Sequence, residues 1–248
     1  GVPKGAIMTH ANVCSGVHHQ LEKFGLGPAV RTLDLASYCF DLIWHEFIFT
    51  LSAGGCLCIP SDDDRRDNVV KAIQEFDINY LHVTPSLART IEPGLVPSVQ
   101  SVFFGGEALT ADDVERWGTA VNIRNAYGPT ECTISSTIAI RGRDFTTTPC
   151  LGSPYGLNAW IVSCLQPRSL APVGAIGELV LEGPLVGQGY LNDAARTVAA
   201  FPIDPPWLPD SEDKPKTRRL YMTGDLVKYN AEGHLLFVGR KDLQVKIN

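Results

Sequence analysis

The sequence predicts an α/β fold: a parallel sheet with flanking helices, followed by a small β-rich, barrel-like subdomain or sheet. Three observations predict it. Between residues 61 and 126, short β-branched and aromatic runs alternate with amphipathic helical stretches at the pitch of β–α–β crossovers. Beyond about residue 145 the helix signals fade and short strand-like runs take over. A chain of 248 residues, 44% hydrophobic and 19% charged, is long enough to bury about 70% or more of its unfolded surface, which excludes a disulfide-stapled miniprotein or a disordered tail. The expected organisation is an α/β part over 1–145, a β-rich part over 146–239 and a short terminal piece over 240–248.

The elements follow in order. After the turn Gly1-Val-Pro-Lys-Gly5, Thr9-His10 opens a helix. Ser61 with its three aspartates, followed by Val69, Val70, Ile73 and Phe76, predicts one capped amphipathic helix over 61–76. Residues 79–84 form a strand stopped by Pro85, and 86–91 a short helix before Pro93-Gly94. The next strand, 101–104, ends at Gly105-Gly106; Thr110 with Asp113 starts a helix through Trp117, and 121–126 returns as a strand. Right-handed crossovers then place ligands at the carboxyl ends of a parallel sheet. In the second part, strands are expected at 160–164, 178–181, 225–229 and 234–238, the last two flanking the hairpin turn Asn230-Ala-Glu-Gly233. The Pro- and Asp-rich stretch 202–216 is expected as a long surface loop.

A net charge of −6 offers no basic footprint for nucleic acid. The apolar run 41–60 is broken by His45, Glu46 and Gly54-Gly55, short of the roughly 18 uncharged residues of a membrane span. Seven cysteines show neither a CxxC pair nor zinc spacing, and there is no glycosylation sequon. Free, mostly buried thiols in a reducing, cytoplasmic compartment are expected. Gly1 is not a start methionine, so the chain is expected to be an interior piece of something longer.

Five segments carry residues that packing alone does not require. Lys4, between turn-formers, suits a phosphate loop or an ordinary solvated turn. Asn125-Ala-Tyr-Gly-Pro-Thr-Glu131 stands where a parallel strand ends; Thr130 and Glu131 suit a phosphate and a hard cation, or a helix start whose Glu complements the dipole. Phe104-Gly-Gly-Glu107 suits a flat ring against backbone, or a plain turn. Near the two ends of the hairpin, Asp225 suits ribose hydroxyls with Arg240 as a donor, or the two form a surface ion pair.

In order, these segments resemble the adenylation domains of non-ribosomal peptide synthetases, members of the adenylate-forming superfamily. The resemblance spans nearly the whole chain. Residues 1–5 look like the tail of the family's phosphate loop, and 125–131 like its Asn-Ala-Tyr-Gly-Pro-Thr-Glu motif. Gly177-Glu-Leu-Val-Leu-Glu-Gly183 through Gly189-Tyr-Leu-Asn192 matches the next, with 221–226 and 239–247 the last two.

The resemblance implies that 1–145 belongs to the large N-terminal domain of such enzymes. It also implies activation of an α-amino acid by ATP, with Mg²⁺, to an aminoacyl-adenylate and pyrophosphate, then transfer to phosphopantetheine on a carrier protein. Carrier-protein and condensation domains are the implied partners. By the family pattern Lys4 belongs to the phosphate loop, Thr130 meets the α-phosphate and Glu131 the metal. Gly105, Gly106, Glu107, Asn125, Ala126, Tyr127 and Gly128 line the nucleotide, Asp225 and Arg240 meet the ribose, and Phe237 packs on the base. Asp242 is the hinge of a C-terminal lid. Asp41 pairs with the substrate ammonium, the alternative being a cap for the helix starting at Leu42. The rest of the side-chain pocket falls on Leu42, His45, His82, Phe103, Gly105, Ala126, Ile134 and Ser135, where each histidine is also readable as a neutral core residue.

Two departures stand out: Phe40-Asp-Leu-Ile43 replaces the family's Phe-Asp-x-Ser, and the final motif ends Lys246-Ile-Asn248 instead of Arg-Gly. With most of the phosphate loop before Gly1 and the lid lysine after Asn248, the piece alone is expected to show little adenylation. The alternatives are an acyl- or aryl-acid ligase, which does not need Asp41, and a non-catalytic nucleotide-binding module, which need not keep Thr130, Glu131, Asp225 and Arg240.

Overall fold

The structure, a computed structural model, describes residues 4–165, 168–209 and 217–241. In chain order the elements are β1 (Ala6–Ile7), α1 (His10–Phe24), β2 (Arg31–Leu33), α2 (Leu42–Trp44), a π-helical turn (His45–Phe49), α3 (Thr50–Ser52), β3 (Cys56–Cys58), α4 (Asp62–Asp67), α5 (Val69–Glu75), β4 (Tyr80–Val83), α6 (Pro85–Ala88), β5 (Ser101–Phe104), α7 (Ala111–Arg116), β6 (Asn122–Tyr127), β7 (Thr137–Ile140), β8 (Ser153–Pro154), β9 (Asn158–Val162), β10 (Gly177–Glu182), β11 (Gly189–Tyr190), α8 (Ala194–Ala200), β12 (Leu220–Tyr229) and β13 (Leu235–Arg240). The chain divides into two compact units made of interleaved segments: 17–128 with 137–152, and 1–16 with 129–136 and 153–248.

In the unit of 17–128 and 137–152 the strands lie in the order β3-β2-β4-β5-β6-β7. The pairings β2·β3, β2·β4, β4·β5 and β5·β6 are parallel, as expected, while β7 runs antiparallel to β6. Only a short link separates β6 from β7, too short for the crossover a parallel partner needs. Every residue of β4 is buried, as are Val102, Phe103 and Phe104 of β5, the signature of a sheet covered on both faces.

The helix starting at Thr110 is present with its capping box: the Asp113 N–H donates to Thr110 Oγ1 at 3.3 Å, and the Thr110 N–H to Asp113 Oδ2 at 3.0 Å. Arg89, at the C-cap of α6, grips the same carboxylate with Nε and Nη2 at 2.7 and 2.9 Å. The single helix expected over 61–76 is instead two. Ser61 caps α4 as predicted, accepting from the Asp64 N–H, but the chain breaks at Asn68 (φ −134°, ψ 42°). Residues 62–67 have no apolar side chain to bury, so the inward stripe begins only in α5, with Ala72 and Ile73. The helix expected over 86–91 starts one residue earlier, at Pro85 behind the Thr84 cap, and ends at Ala88.

The other unit holds an open antiparallel sheet in the order β13-β12-β10-β9, the sheet rather than the closed barrel of the two forms expected. The hairpin turn at 230–233 is in place: the Gly233 N–H donates to Asn230 O, and Gly233 takes the positive φ of 81° that this turn needs. At the end of β10, buried Glu182 pairs with Arg218 and also accepts from Trp160 Nε1 at 2.8 Å. Two expectations are corrected here. A helix, α8, capped by Asp193, lies where none was foreseen. The stretch after Pro202 is more than a surface loop: Trp207 and Leu208 pack on Val162, Val180 and Leu220, while residues 210–216 lie outside the described ones.

The seven thiols are free, but only Cys58, Cys132 and Cys150 are buried and the other four are exposed, against the expectation of mostly buried ones. Cys56, for example, sits on β3, the last strand in the order of its sheet. Among the described residues no helix is long and apolar enough to cross a membrane.

Candidate active site

The carboxyl ends of β4, β5 and β6 lie together in one unit, and sequence-predicted residues gather there. Gly106 follows β5 with φ +82°, a conformation that favours glycine. Gly105 is less constrained: a side-chain carbon there would stand 3.5 Å from His82 Nε2, an ordinary contact. Glu107 is already engaged, accepting from the Ser86 N–H at 3.0 Å and the Ser86 hydroxyl at 2.5 Å, so it ties the diglycine turn to α6. Asn125 is buried in β6 and donates from Nδ2 to Cys150 O at 2.8 Å; Ala126 is buried, and Tyr127 and Gly128 are half-buried.

Asp41 precedes α2 in helical conformation and is half-buried, and its side chain makes no capping hydrogen bond. The capping alternative for this residue therefore falls. Leu42 is half-buried beside it. His45 and His82 are buried and joined through their Nδ1 atoms at 2.9 Å, so one donates and the other accepts. Phe103 stacks on His45 at 5.2 Å between centroids, with Phe24 edge-on to both. Burial holds His45 at about 3 and His82 well below its ordinary value, so both are neutral at physiological pH. Within this cluster they hold one another's hydrogen bond and bring no charge.

In the other unit, Pro129 leads into a tight 3-10 turn, Thr130–Cys132, with Thr130 exposed and Glu131 buried. Thr133 and Ile134 follow with φ of +53° and +75°, left-handed values that β-branched residues seldom adopt. The strain is held by the buried Thr133 hydroxyl, which donates to Leu185 O at 2.6 Å; Ser135 beyond it is buried.

Glu131 Oε1 accepts from the Tyr190 hydroxyl at 2.5 Å, and Lys4 Nζ stands 3.6 Å from the same oxygen and 5.4 Å from the Tyr190 ring centroid. The Tyr221 hydroxyl is 3.5 Å from that of Tyr190. Burial, reinforced by the Glu131 charge, pushes both phenols up, so they remain protonated donors. The Gly187 N–H donates to Glu131 O at 2.9 Å, and a side chain at Gly187 would collide with Met8 and with the backbone of Ile7. That crossing explains a glycine in the 177–192 motif.

Asp225 and Arg240 face each other across β12 and β13, with Arg240 Nη1 at 2.9 Å from Asp225 Oδ1 and Thr223 O. The ion pair predicted between them exists, but it is not a surface one, because Asp225 is only 8% exposed. Phe237 is 47% exposed. Asp242 and residues 1–3 lie outside the described residues.

Among the described residues no three His, Cys, Asp or Glu side chains cluster as a metal cage. The single buried carboxylate of Glu131 fits a cation such as Mg²⁺, which keeps waters and binds through one or two carboxylates and substrate phosphates. Tyr190 and Tyr221 are the partners of this candidate site that sequence reasoning missed. Both stood inside recognised motifs, where a tyrosine within a buried strand calls for a hydrogen-bond partner.

The sequence model of the AMP-binding enzyme family matches residues 1–191. The chain belongs to this family of adenylate-forming enzymes. It is 46% identical over its whole length to nonribosomal peptide synthetase ungA of Aspergillus violaceofuscus, covering 3% of that protein. It is 47% identical to peramine synthetase A of Epichloe festucae, again over its whole length and covering 9% of that protein. Among solved structures it resembles the Vibrio cholerae adenylation domain AlmE in complex with glycyl-adenosine-5'-phosphate, at 28% identity and a TM-score of 0.81, over 99% of this chain and 47% of that one. It also resembles PA1221, a peptide-synthetase protein containing adenylation and PCP domains, at 28% identity and a TM-score of 0.83, over 100% of this chain and 50% of that one. The chain thus spans a small part of the synthetases it matches.

Proposed function

We propose that this chain forms the acid- and nucleotide-binding part of an adenylation domain that activates an α-amino acid with ATP. A carboxylate oxygen of the amino acid attacks the α-phosphorus, the bond from that phosphorus to the β-phosphate oxygen breaks, and pyrophosphate leaves. The aminoacyl group then passes to the phosphopantetheine thiol of a carrier domain, with carrier and condensation domains as neighbours. Glycyl-adenosine-5'-phosphate, held by AlmE, is a product of the same chemical type.

The observation that carries this reading is Glu131: a buried carboxylate in a strained turn, fixed by Tyr190 and with Lys4 beside it. Mg²⁺ at Glu131 supplies neutralisation of phosphate charge when bound. This chain's own residues do the rest. Thr130 offers an exposed hydroxyl to the α-phosphate, Lys4 a cation, and Asp225 with Arg240 a ribose contact. Gly106, Asn125, Ala126, Tyr127, Gly128 and Phe237 accommodate the base. Asp41 receives the substrate ammonium, and Asp242 serves as the hinge. Preorganised groups of this kind lower the barrier because they need not reorient as charge develops.

The Asp41 role is tested by Asp41→Ala in an adenylation domain that includes this chain. Removing one member of a charge-assisted pair is expected to lower amino-acid kcat/KM by about 30-fold to 1,000-fold, with ATP affinity measured by calorimetry unchanged. Equal loss of both would contradict the role.

A further inference from the structure

Glu46 lies in the π-helical turn between α2 and α3, fully buried and next to His45. π turns carry one extra residue and recur at functional sites; this one turns His45, Glu46 and Phe49 all inward. Glu46 Oε2 accepts from the Ala36 N–H at 3.2 Å, but its Oε1 is sealed from solvent with no donor. Asp34, just after β2, is equally buried. Its Oδ2 accepts from the Tyr38 hydroxyl and Arg65 Nη2, both at 2.8 Å, while its Oδ1 has no donor.

Among the described residues Arg65 is the only cation paired with either carboxyl. One cation does not neutralise two buried carboxylates, and two sealed acceptor oxygens without donors are costly. A single proton settles both. We propose that Glu46 stands as a neutral carboxylic acid that donates to Asp34, making it a positioning residue that pins the turn bearing His45.

Burial, partly offset by the Ala36 N–H and reinforced by the Asp34 charge, pushes Glu46 up to about 8. The titratable and charged groups around it are Asp34, with Arg65 and Tyr38 behind, and His45, which burial keeps neutral. The shared proton is argued from the two sealed oxygens and from the Glu46 hydrogen bond to Ala36, two residues from Asp34; only its link to an amino-acid pocket rests on the proposed function.

Because the folded value lies above the unfolded one of about 4.3, the stability that Glu46 draws from its proton is full below the unfolded value. It declines as pH rises and is spent above about 8. Urea unfolding of the chain, with Glu46→Gln and Glu46→Ala, from about pH 5 to about pH 9 tests this. Gln keeps a donor at every pH. The expected result is that the wild-type midpoint falls relative to Glu46→Gln as pH rises and levels off above about 8, while Glu46→Ala is weaker than both at the acid end. Parallel curves for wild type and Gln, or Gln as weak as Ala throughout, would overturn the proposal.

If the variants do not fold, the infrared carbonyl band of a protonated carboxyl in the wild type decides. It is expected at neutral pH and lost above about pH 8, and its absence at neutral pH overturns the proposal. In pyrophosphate exchange by an adenylation domain that includes this chain, the amino-acid KM of the wild type is expected to rise with pH over the same range, and that of Glu46→Gln to stay level. Exchange that is silent in both, with the unfolding result as expected, counts against the proposed function and leaves the shared proton standing.

Discussion

Tyr190 donates to Glu131 across 2.5 Å with its phenol held protonated, so one carboxylate oxygen is fixed before any ligand arrives. Tyr190→Phe removes that hydrogen bond and keeps the ring. A hydrogen bond to a charged group is worth about 1.5–3 kcal/mol, so exchange is expected to drop about tenfold to a hundredfold, with a raised Mg²⁺ requirement. Mn²⁺ affinity measured by electron paramagnetic resonance in the presence of nucleotide should weaken in step; unchanged affinity would make Tyr190 merely structural. Glu131, Asp225 and Arg240 stood out in the sequence because they lie in ordered motifs. Their partners did not. Tyr190 lies 59 residues from Glu131, and a buried hydrogen bond over such a separation leaves no periodicity to read. The same holds for Glu46 and Asp34, of which only Glu46 registered, as a break in an apolar run.

Elements whose signals are local were legible, and those decided by tertiary contacts were not. The Thr110 capping box was read from two residues three apart, and Thr110→Ala is expected to cost about 1 kcal/mol by urea unfolding. The break at Asn68 was not, because a capping signal and an apolar face in adjacent stretches look like one helix until burial shows that only α5 faces inward. α8 was missed for a related reason: it has no buried residue and hence no apolar stripe, and only the Asp193 cap marks it. The π-helical turn has neither a 3.6 nor a 2 period to betray it. Gly152, at φ +75° with the Ile138 backbone where a side chain would start, sets the path of the chain beyond β7. Gly152→Ala is expected to destabilise the chain by about 3 kcal/mol or more, and a variant with an unchanged unfolding midpoint would contradict that packing.

Across the whole molecule, the fold class was legible and the arrangement of the units was not. Alternation of strands and helices announced the parallel sheet, but the compact units exchange segments such as 129–136 and 137–152, and no reading in chain order shows which side of a fold such a segment joins. The antiparallel β7 belongs to the same category, since strand partners are chosen by packing, not by the strand's own residues. The family model matches residues 1–191 and the synthetase likeness runs over the full length; the central proposal beyond them is that the molecule activates α-amino acids. The measurement that tests it most directly is amino-acid-dependent ATP–pyrophosphate exchange by an adenylation domain that includes this chain, screened over proteinogenic and common non-proteinogenic amino acids. Exchange is expected with one or a few α-amino acids, lowered by about 30-fold to 1,000-fold in Asp41→Ala. Exchange with aryl or fatty acids instead, indifferent to Asp41, would contradict the proposal, and silence with every acid would favour a nucleotide-binding module without catalysis.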